Sequence, residues 1–385
     1  MEGLQTIKFI KDNDNWKDIL VQPPYSLIIK EDLYFYLLKY NQLESDFSNE
    51  IVKECRGLII DKYSLEPVAL SFKKFWEVEN ELADDIDWSS AKVQEKLDGT
   101  KLLCFYNKYE KTWQVASSGN LNIDKINVND FGMTFGDLFG KALANSLYTR
   151  SGFFSSLISS YCYTLELVSP ENRVVVPYKK ADVYLIGVRK VDTFEEISPN
   201  KYQEDFGFLL RTPKEYPLRT LNDCLKATEI MGYDKEGYVV VDKNWHRIKI
   251  KSPAWKEVSK IRGDGTLSQR KIITIIDNNL EIEALRFYPE WKEYIDKVRD
   301  KIEKYQYVLY LHLSDVREYI ETKKLIWQKR EDMKKIAAYI ETFPFYKSVI
   351  YKFVKSFYAG ICKFIDDDWS KTSINKKIEI LEGIK

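Results

Sequence analysis

Glu95-Lys96-Leu97-Asp98-Gly99-Thr100-Lys101 sets a lysine, an acid and a glycine between two apolar-rich stretches. Residues 91–94 alternate apolar with polar and residues 102–106 are mostly apolar, so both read as short strands. Lys96 then falls in the connection, where Gly99 gives the backbone freedom to turn close to a ligand. One reading makes Lys96 a nucleophile towards a nucleotide phosphate. The other makes it the solvated lysine of an ordinary hairpin turn. A bare K-x-D-G is short enough to arise by chance, so the rest of the chain has to decide.

Working outward, Cys55-Arg56-Gly57-Leu58-Ile59-Ile60-Asp61 leads an arginine and a glycine into a β-rich run, with residues 68–72 as its hairpin partner. Residues 25–29 read as extended, whereas residues 31–40 fit helix and strand equally well. Lys73-Lys74-Phe75-Trp76 sets two lysines beside two aromatics, which by itself fits a strand end with solvated lysines. Residues 113–116 read as a strand ending in the polar turn Ser117-Ser118-Gly119-Asn120, and residues 135–158 have helical character interrupted by glycines.

In Thr164-Leu165-Glu166-Leu167-Val168, period-two alternation puts Glu166 on a face with Thr164 and Val168. A carboxylate in so apolar a run is costly unless paired or liganded, which marks it as a site candidate. Residues 183–188 form one more apolar strand, and Glu236-Gly237 stands at the mouth of another. In His246-Arg247-Ile248-Lys249-Ile250-Lys251, Arg247, Lys249 and Lys251 face one way. Like charges stacked on one face need water or an anion to screen them, so the face is either solvated or a seat for a polyanion such as a triphosphate. His246 reads as structural.

The 385 residues suffice for two domains, and 44% hydrophobic content supplies ample core. Formal net charge is zero, so a polyanion partner would have to meet a local basic surface. The five cysteines are scattered without a C-x-x-C, and there are only two histidines, which argues against a disulfide framework, a zinc site or a histidine triad. Charged residues interrupt the N-terminus and no apolar run is long enough for a membrane span, so a soluble cytoplasmic protein is expected.

Past Ser252-Pro253 the β-type alternation gives way to helical periodicity. Pro289 is placed to start a helix in which Ile295, Val298, Ile302, Tyr305 and Leu309 form a stripe continued by His312. Further helices are expected over 326–342, 344–365 and 371–383. Lys347, Lys352, Lys355 and Lys363, interleaved with Tyr346, Tyr351, Phe353 and Phe357, fit an RNA-contacting surface or the solvated side of an amphipathic helix.

Taken in order, Arg56, Lys74, Lys96, Glu166, Glu236, Lys249 and Lys251 form a pattern that resembles the covalent nucleotidyltransferases: DNA ligases, RNA ligases and mRNA capping enzymes. It is most similar to the T-even phage, tRNA-repair type of RNA ligase. The blocks are E-C-R-G-L-I (54–59), K-K-F-W (73–76), K-L-D-G-T (96–100), L-E-L-V-S-P-E-N-R-V-V (165–175), E-G-Y-V (236–239) and K-I-K-S (249–252).

The resemblance implies an α+β architecture. An antiparallel-sheet adenylation domain, residues 1–255, would precede an all-α domain, residues 256–385, that serves RNA specificity. It also implies an ATP-dependent RNA ligase that works through a lysyl-AMP on Lys96, with magnesium or manganese as the metal. Tyr40, Arg56, Lys74, Lys249 and Lys251 are implied nucleotide contacts. Glu166 is implied at the ribose and at metal-bound water, Glu236 at the metal, and Glu281 at a metal-linked position in the helical domain. Trp255 stands where the family carries a functional tyrosine. The implied partner is RNA with 5′-phosphate and 3′-hydroxyl ends, a nicked tRNA among the candidates, handled by a monomer.

Lysine must lose its proton to attack, and Lys249, Lys251 and a bound metal are expected to favour the neutral amine. Two departures stand out. Ser118 replaces a family lysine, and the helical part matches poorly. A DNA ligase or capping enzyme, and a non-catalytic RNA-binding protein with the same fold, stay open as alternatives.

Overall fold

Alternating side chains in the first 250 residues sort themselves onto the faces of three sheets. The computed structural model describes residues 3–128, 133–207, 210–262, 267–356 and 360–383. Strands β1 (Leu27–Glu31), β2 (Phe35–Tyr40), β3 (Arg56–Asp61) and β4 (Pro67–Ala69) form an antiparallel sheet in that order. The other strands are β5 (Trp76–Glu77), β6 (Lys92–Glu95), β7 (Thr100–Asn107), β8 (Thr112–Ser117), β9 (Tyr161–Val168), β10 (Asp182–Lys190), β11 (Glu196–Ile197), β12 (Glu215–Tyr216), β13 (Gly237–Val241) and β14 (Arg247–Lys251). They build a second sheet, β11-β10-β9-β7-β8, and a third, β12-β6-β13-β14-β5. Pairing is antiparallel except that β14 runs parallel to β5, a departure from the all-antiparallel expectation.

Residues 31–40 resolve as a strand because β2 is buried on both faces. Phe35 and Leu37 pack with Leu103 and Phe105 of the second sheet, while Tyr36 and Leu38 join Ile7, Ile10 and Trp16 of the N-terminal helices. A run buried on both sides loses the alternation that would have separated strand from helix. The second sheet's other face is covered by Leu138, Phe139, Ala142 and Leu143 of helix Phe135–Asn145 and by Phe153. The stretch of helical character over 135–158 is two helices, and the break comes not at a glycine but where Leu147 takes a left-handed φ of 66° and Thr149 caps a new helix, Arg150–Ser155. On the third sheet, Val93, Tyr238, Val240, Ile248 and Ile250 pack with Cys224 of helix Leu221–Glu229.

The chain divides into two compact units, Met1–Thr266 and Leu267–Lys385. The division falls after the expected boundary at 255 because helix Pro253–Arg262, with Trp255 and Val258 buried, runs across that point. In the second unit every described element is helical. The longest helix, Lys292–Thr322, buries the stripe Ile295, Val298, Ile302, Tyr305 and Leu309 and extends it to Leu313 and Val316. His312 packs against the rings of Phe343 (4.6 Å) and Tyr346 (5.0 Å). The remaining helices are Arg330–Ile340, Lys347–Ser356, Ile361–Lys371 and Ile374–Glu382, so the helix expected over 344–365 is two. Phe357, one of the interleaved aromatics, lies outside the described residues. No described helix is long and apolar enough to cross a membrane.

Candidate active site

Residues 95–101 do not form a hairpin turn. β6 belongs to the third sheet and β7 to the second, so the segment carries the chain from one sheet to the other. It is pinned along its length. The Glu95 amide donates to the Lys214 carbonyl (2.7 Å) and the Lys96 amide to that of Gly237 (2.9 Å). Asp98 is buried, and its Oδ2 accepts from the amides of Val175 and Val176, both at 2.7 Å, while its own amide donates to the Tyr178 hydroxyl (3.1 Å). Gly99 is required by crowding: a Cβ there would lie 2.3 Å from the Leu167 carbonyl oxygen. Its expected role as a flexible turn residue gives way to that of a spacer against β9. The Thr100 hydroxyl accepts from Asn172 (2.7 Å).

These contacts aim Lys96 at Glu236, whose Oε1 lies 2.9 Å from Nζ. Burial alone would push the lysine down, but the charge and hydrogen bond of Glu236 overcome it and hold Lys96 above the ordinary lysine range. The expected push of Lys249 and Lys251 towards the neutral amine is thus outweighed by Glu236 in the structure without ligands. Burial raises the carboxyl of Glu236, with Lys96 pulling the other way. Glu166 is pushed up to about 7, chiefly by burial, with Lys96 opposing and Glu236 reinforcing the rise.

Among the described residues, Lys74, Lys249 and Arg56 are held without a carboxylate ion pair, whereas Lys251 has one. The Lys74 ammonium sits over the rings of Tyr40 (4.8 Å), Phe47 (4.8 Å) and Trp76 (4.6 Å) and donates to Gln42 (3.2 Å). Burial, then the charges of Arg56 and Lys251, bring it down to about 8. Lys249 also falls to about 8, through burial and the charges of Lys251, Lys96, Arg56 and Lys74. Arg56 lies over Phe75 at 5.0 Å, and its Nη1 is buried with no hydrogen-bond partner among the described residues. A buried donor left unsatisfied costs about 1–3 kcal/mol, so this atom marks a place for an acceptor. Lys251 pairs with Glu77 (3.2 Å) and lies over Trp255 (4.7 Å), whose buried Nε1 also lacks a partner.

Tyr40, Arg56, Lys74, Lys96, Glu166, Glu236, Lys249 and Lys251 thus act on one another within the first unit. Arg247 does not join them as a free cation, because Glu196 takes its guanidinium. Glu281 belongs to the second unit, where it pairs with Arg299 (3.1 Å). Of the interleaved lysines, Lys347 pairs with Glu341 (3.2 Å) and Lys352 with Asp368 (2.9 Å). Phe353 is buried and Tyr346 stacks on Tyr305 (5.6 Å), so these aromatics serve the helical core. Sequence reasoning missed Phe47, Phe75 and Lys101. Lys101 carried a usable signal, since alternation puts it on a face with Leu103 and Phe105, both buried.

Fold and site together define a mixed α+β protein with a cluster of cations around a carboxylate-paired lysine. The chain belongs to the RNA ligase family: the model for that family, described as RNA ligase, matches residues 54–255. Among curated proteins, it is 26% identical to a putative bifunctional polynucleotide kinase/RNA ligase of Autographa californica nuclear polyhedrosis virus, over 67% of this chain and 38% of that one. It is 27% identical to an RNA ligase of Rhodothermus phage RM378, over 69% and 72% of the two chains. The chain therefore spans well under half of the viral relative and 72% of the phage one. Among solved structures, an archaeal ATP-dependent RNA ligase aligns with a TM-score of 0.44 at 11% identity, covering 78% of this chain and 77% of that one. A Naegleria gruberi RNA ligase with PPi aligns at 0.33 and 17%, covering 44% and 52%.

Proposed function

We propose that this chain is an ATP-dependent RNA ligase that seals 5′-phosphate to 3′-hydroxyl RNA ends through Lys96. The observation that carries the reading is the pairing of Lys96 with Glu236 beside cations, Lys74, Lys249 and the Nη1 of Arg56, that have no carboxylate of their own. Such a set suits a triphosphate, which would occupy the Arg56 donor and offset the mutual repulsion that lowers the two lysines.

In the first step Lys96 Nζ bonds to the α-phosphorus while the bond to the β-phosphate oxygen breaks and pyrophosphate leaves. The ammonium must first give up a proton, and Glu236 Oε1, 2.9 Å away with its proton affinity raised by burial, is placed to take it. An RNA 5′-phosphate oxygen then displaces Lys96 from the adenylyl group. Finally the 3′-hydroxyl attacks the 5′-phosphorus and AMP leaves. Glu236 and Glu166 would supply oxygen donors to magnesium or manganese, and a bound ion would neutralise phosphate charge. Among the described residues no group of three or more His, Cys, Asp or Glu side chains is gathered for a metal, so phosphate oxygens and water would complete its shell.

The first unit would carry this chemistry and the helical unit the choice of RNA, with Glu281 and Arg299 on its surface. RNA with 5′-phosphate and 3′-hydroxyl ends is the partner, and a nicked tRNA loop is the first substrate to try. The working form would be a monomer in a cytoplasm. Incubation with α-phosphate-labelled ATP and magnesium or manganese should label the protein, and Lys96→Ala should abolish the label. A folded wild-type protein that never labels with either metal sinks the reading.

A further inference from the structure

Lys101 closes the stretch that begins at Glu95, and the reaction above leaves it unused. Its register partner on β9 is Glu166, so the two side chains stand side by side on the face of the second sheet that meets the first. Its amine donates to the Arg56 carbonyl oxygen (3.0 Å) and to the Ser71 hydroxyl. Both acceptors come from the first sheet's side, since Arg56 opens β3 and Ser71 follows β4.

Arg56 is thus held at its backbone by Lys101 while its side chain presents an unspent donor. The residue after it, Gly57, has a φ of +86° and packs so closely that a Cβ would lie 3.2 Å from the Ser118 Cα. The path of the chain at Arg56 is consequently constrained by contacts to its backbone, which set where the side chain starts, while the guanidinium itself lies over Phe75 and hydrogen-bonds with Tyr40. Burial, then the charge of Arg56, pushes the Lys101 amine well below the ordinary range, with Glu166 opposing.

We propose that Lys101 is a positioning residue for Arg56: by holding the Arg56 carbonyl against β7, it aims the unpartnered Nη1 into the nucleotide pocket. The inference rests on the reading of Arg56 as a triphosphate ligand. A residue that only ties two sheets together would affect melting, whereas one that acts through Arg56 must show itself in how ATP is bound.

The test is a double-mutant cycle on adenylylation by labelled ATP, using Lys101→Met, Arg56→Gln and the double variant, with melting recorded for each. Lys101→Met should raise the KM for ATP by about tenfold and change kcat by less. The double variant should be no worse in KM than Arg56→Gln alone, because the two substitutions break one linkage. Ser71→Ala, which removes one acceptor, should raise KM in the same sense by a smaller factor. Effects that multiply in the double variant overturn the proposal, as does a Lys101→Met enzyme that melts earlier yet binds ATP as the wild type does. If Lys101→Met does not fold, the same cycle run with Ser71→Ala decides. A wild type that labels while the cycle multiplies removes only the role of Lys101. A wild type that never labels removes the ligase reading and this role with it.

Discussion

In the first unit Lys96 pairs with Glu236 and Arg247 with Glu196, partners delivered by segments far apart in the chain. In the helical unit Lys292 pairs with Asp296 and Lys297 with Glu293, each one turn along the same helix and largely exposed. The same residue types therefore do different work. Exposed pairs one turn apart add little to stability, because water already solvates both partners. Buried pairs between segments distant in the sequence are costly to break, and Lys74 and Lys249 have no carboxylate ion pair among the described residues. Among the described residues of the helical unit, Lys377 makes a pair of the first kind: buried, it meets Asp277 at 2.7 Å, and Asp277 also accepts from Trp369 (3.2 Å).

The largest stability effect should come from Glu196→Ala, which leaves Arg189 and Arg247 inside without their shared carboxylate. A loss of about 3–5 kcal/mol in denaturant unfolding is expected. A loss below about 1 kcal/mol would erase the contrast between the units.

An intermediate effect is expected from pH on ATP binding. Lys74 and Lys249 lie at about 8 without nucleotide, and a bound triphosphate must raise both, since it favours the ammonium. Affinity is then full below pH 8 and falls as pH rises through that value, by up to about tenfold per unit for each lysine. Measured KM for ATP in adenylylation should climb accordingly, and Lys249→Arg should flatten the climb. A wild-type KM that is level across this range would show that neither lysine meets the phosphates. The smallest effect belongs to Lys297→Ala, which should leave the melting temperature within error; a clear drop would mean the helical surface pairs matter after all.

The helical unit was the more legible in sequence, since its stripe from Ile295 to Leu309 depends only on helical period and was found buried as read. What blurred there were the break near 326–330 and the helix start at Gly360, where local composition gives weak signals. In the first unit the strand of Lys249 was readable because alternation survives there, and that of Glu166 because one carboxylate interrupts a run that is otherwise apolar and buried on both faces. Residues 31–40 were not, because β2 is covered on both sides. Arg247 was grouped with Lys249 and Lys251 by alternation alone, and nothing local could reveal that Glu196 would claim it.

For Glu95-Lys96-Leu97-Asp98-Gly99-Thr100-Lys101, the residues by themselves determined which groups are available: an amine, an acid and a glycine between two strands, beside blocks that place the chain in its family. Only the tertiary structure decided what each one meets. It made the segment a passage between sheets, set Glu236 against Lys96, and left Arg56 with a donor unspent. The reason is that alternation and spacing are properties of neighbours along the chain. The charge state of a buried lysine is set instead by carboxylates and cations that folding brings in from elsewhere.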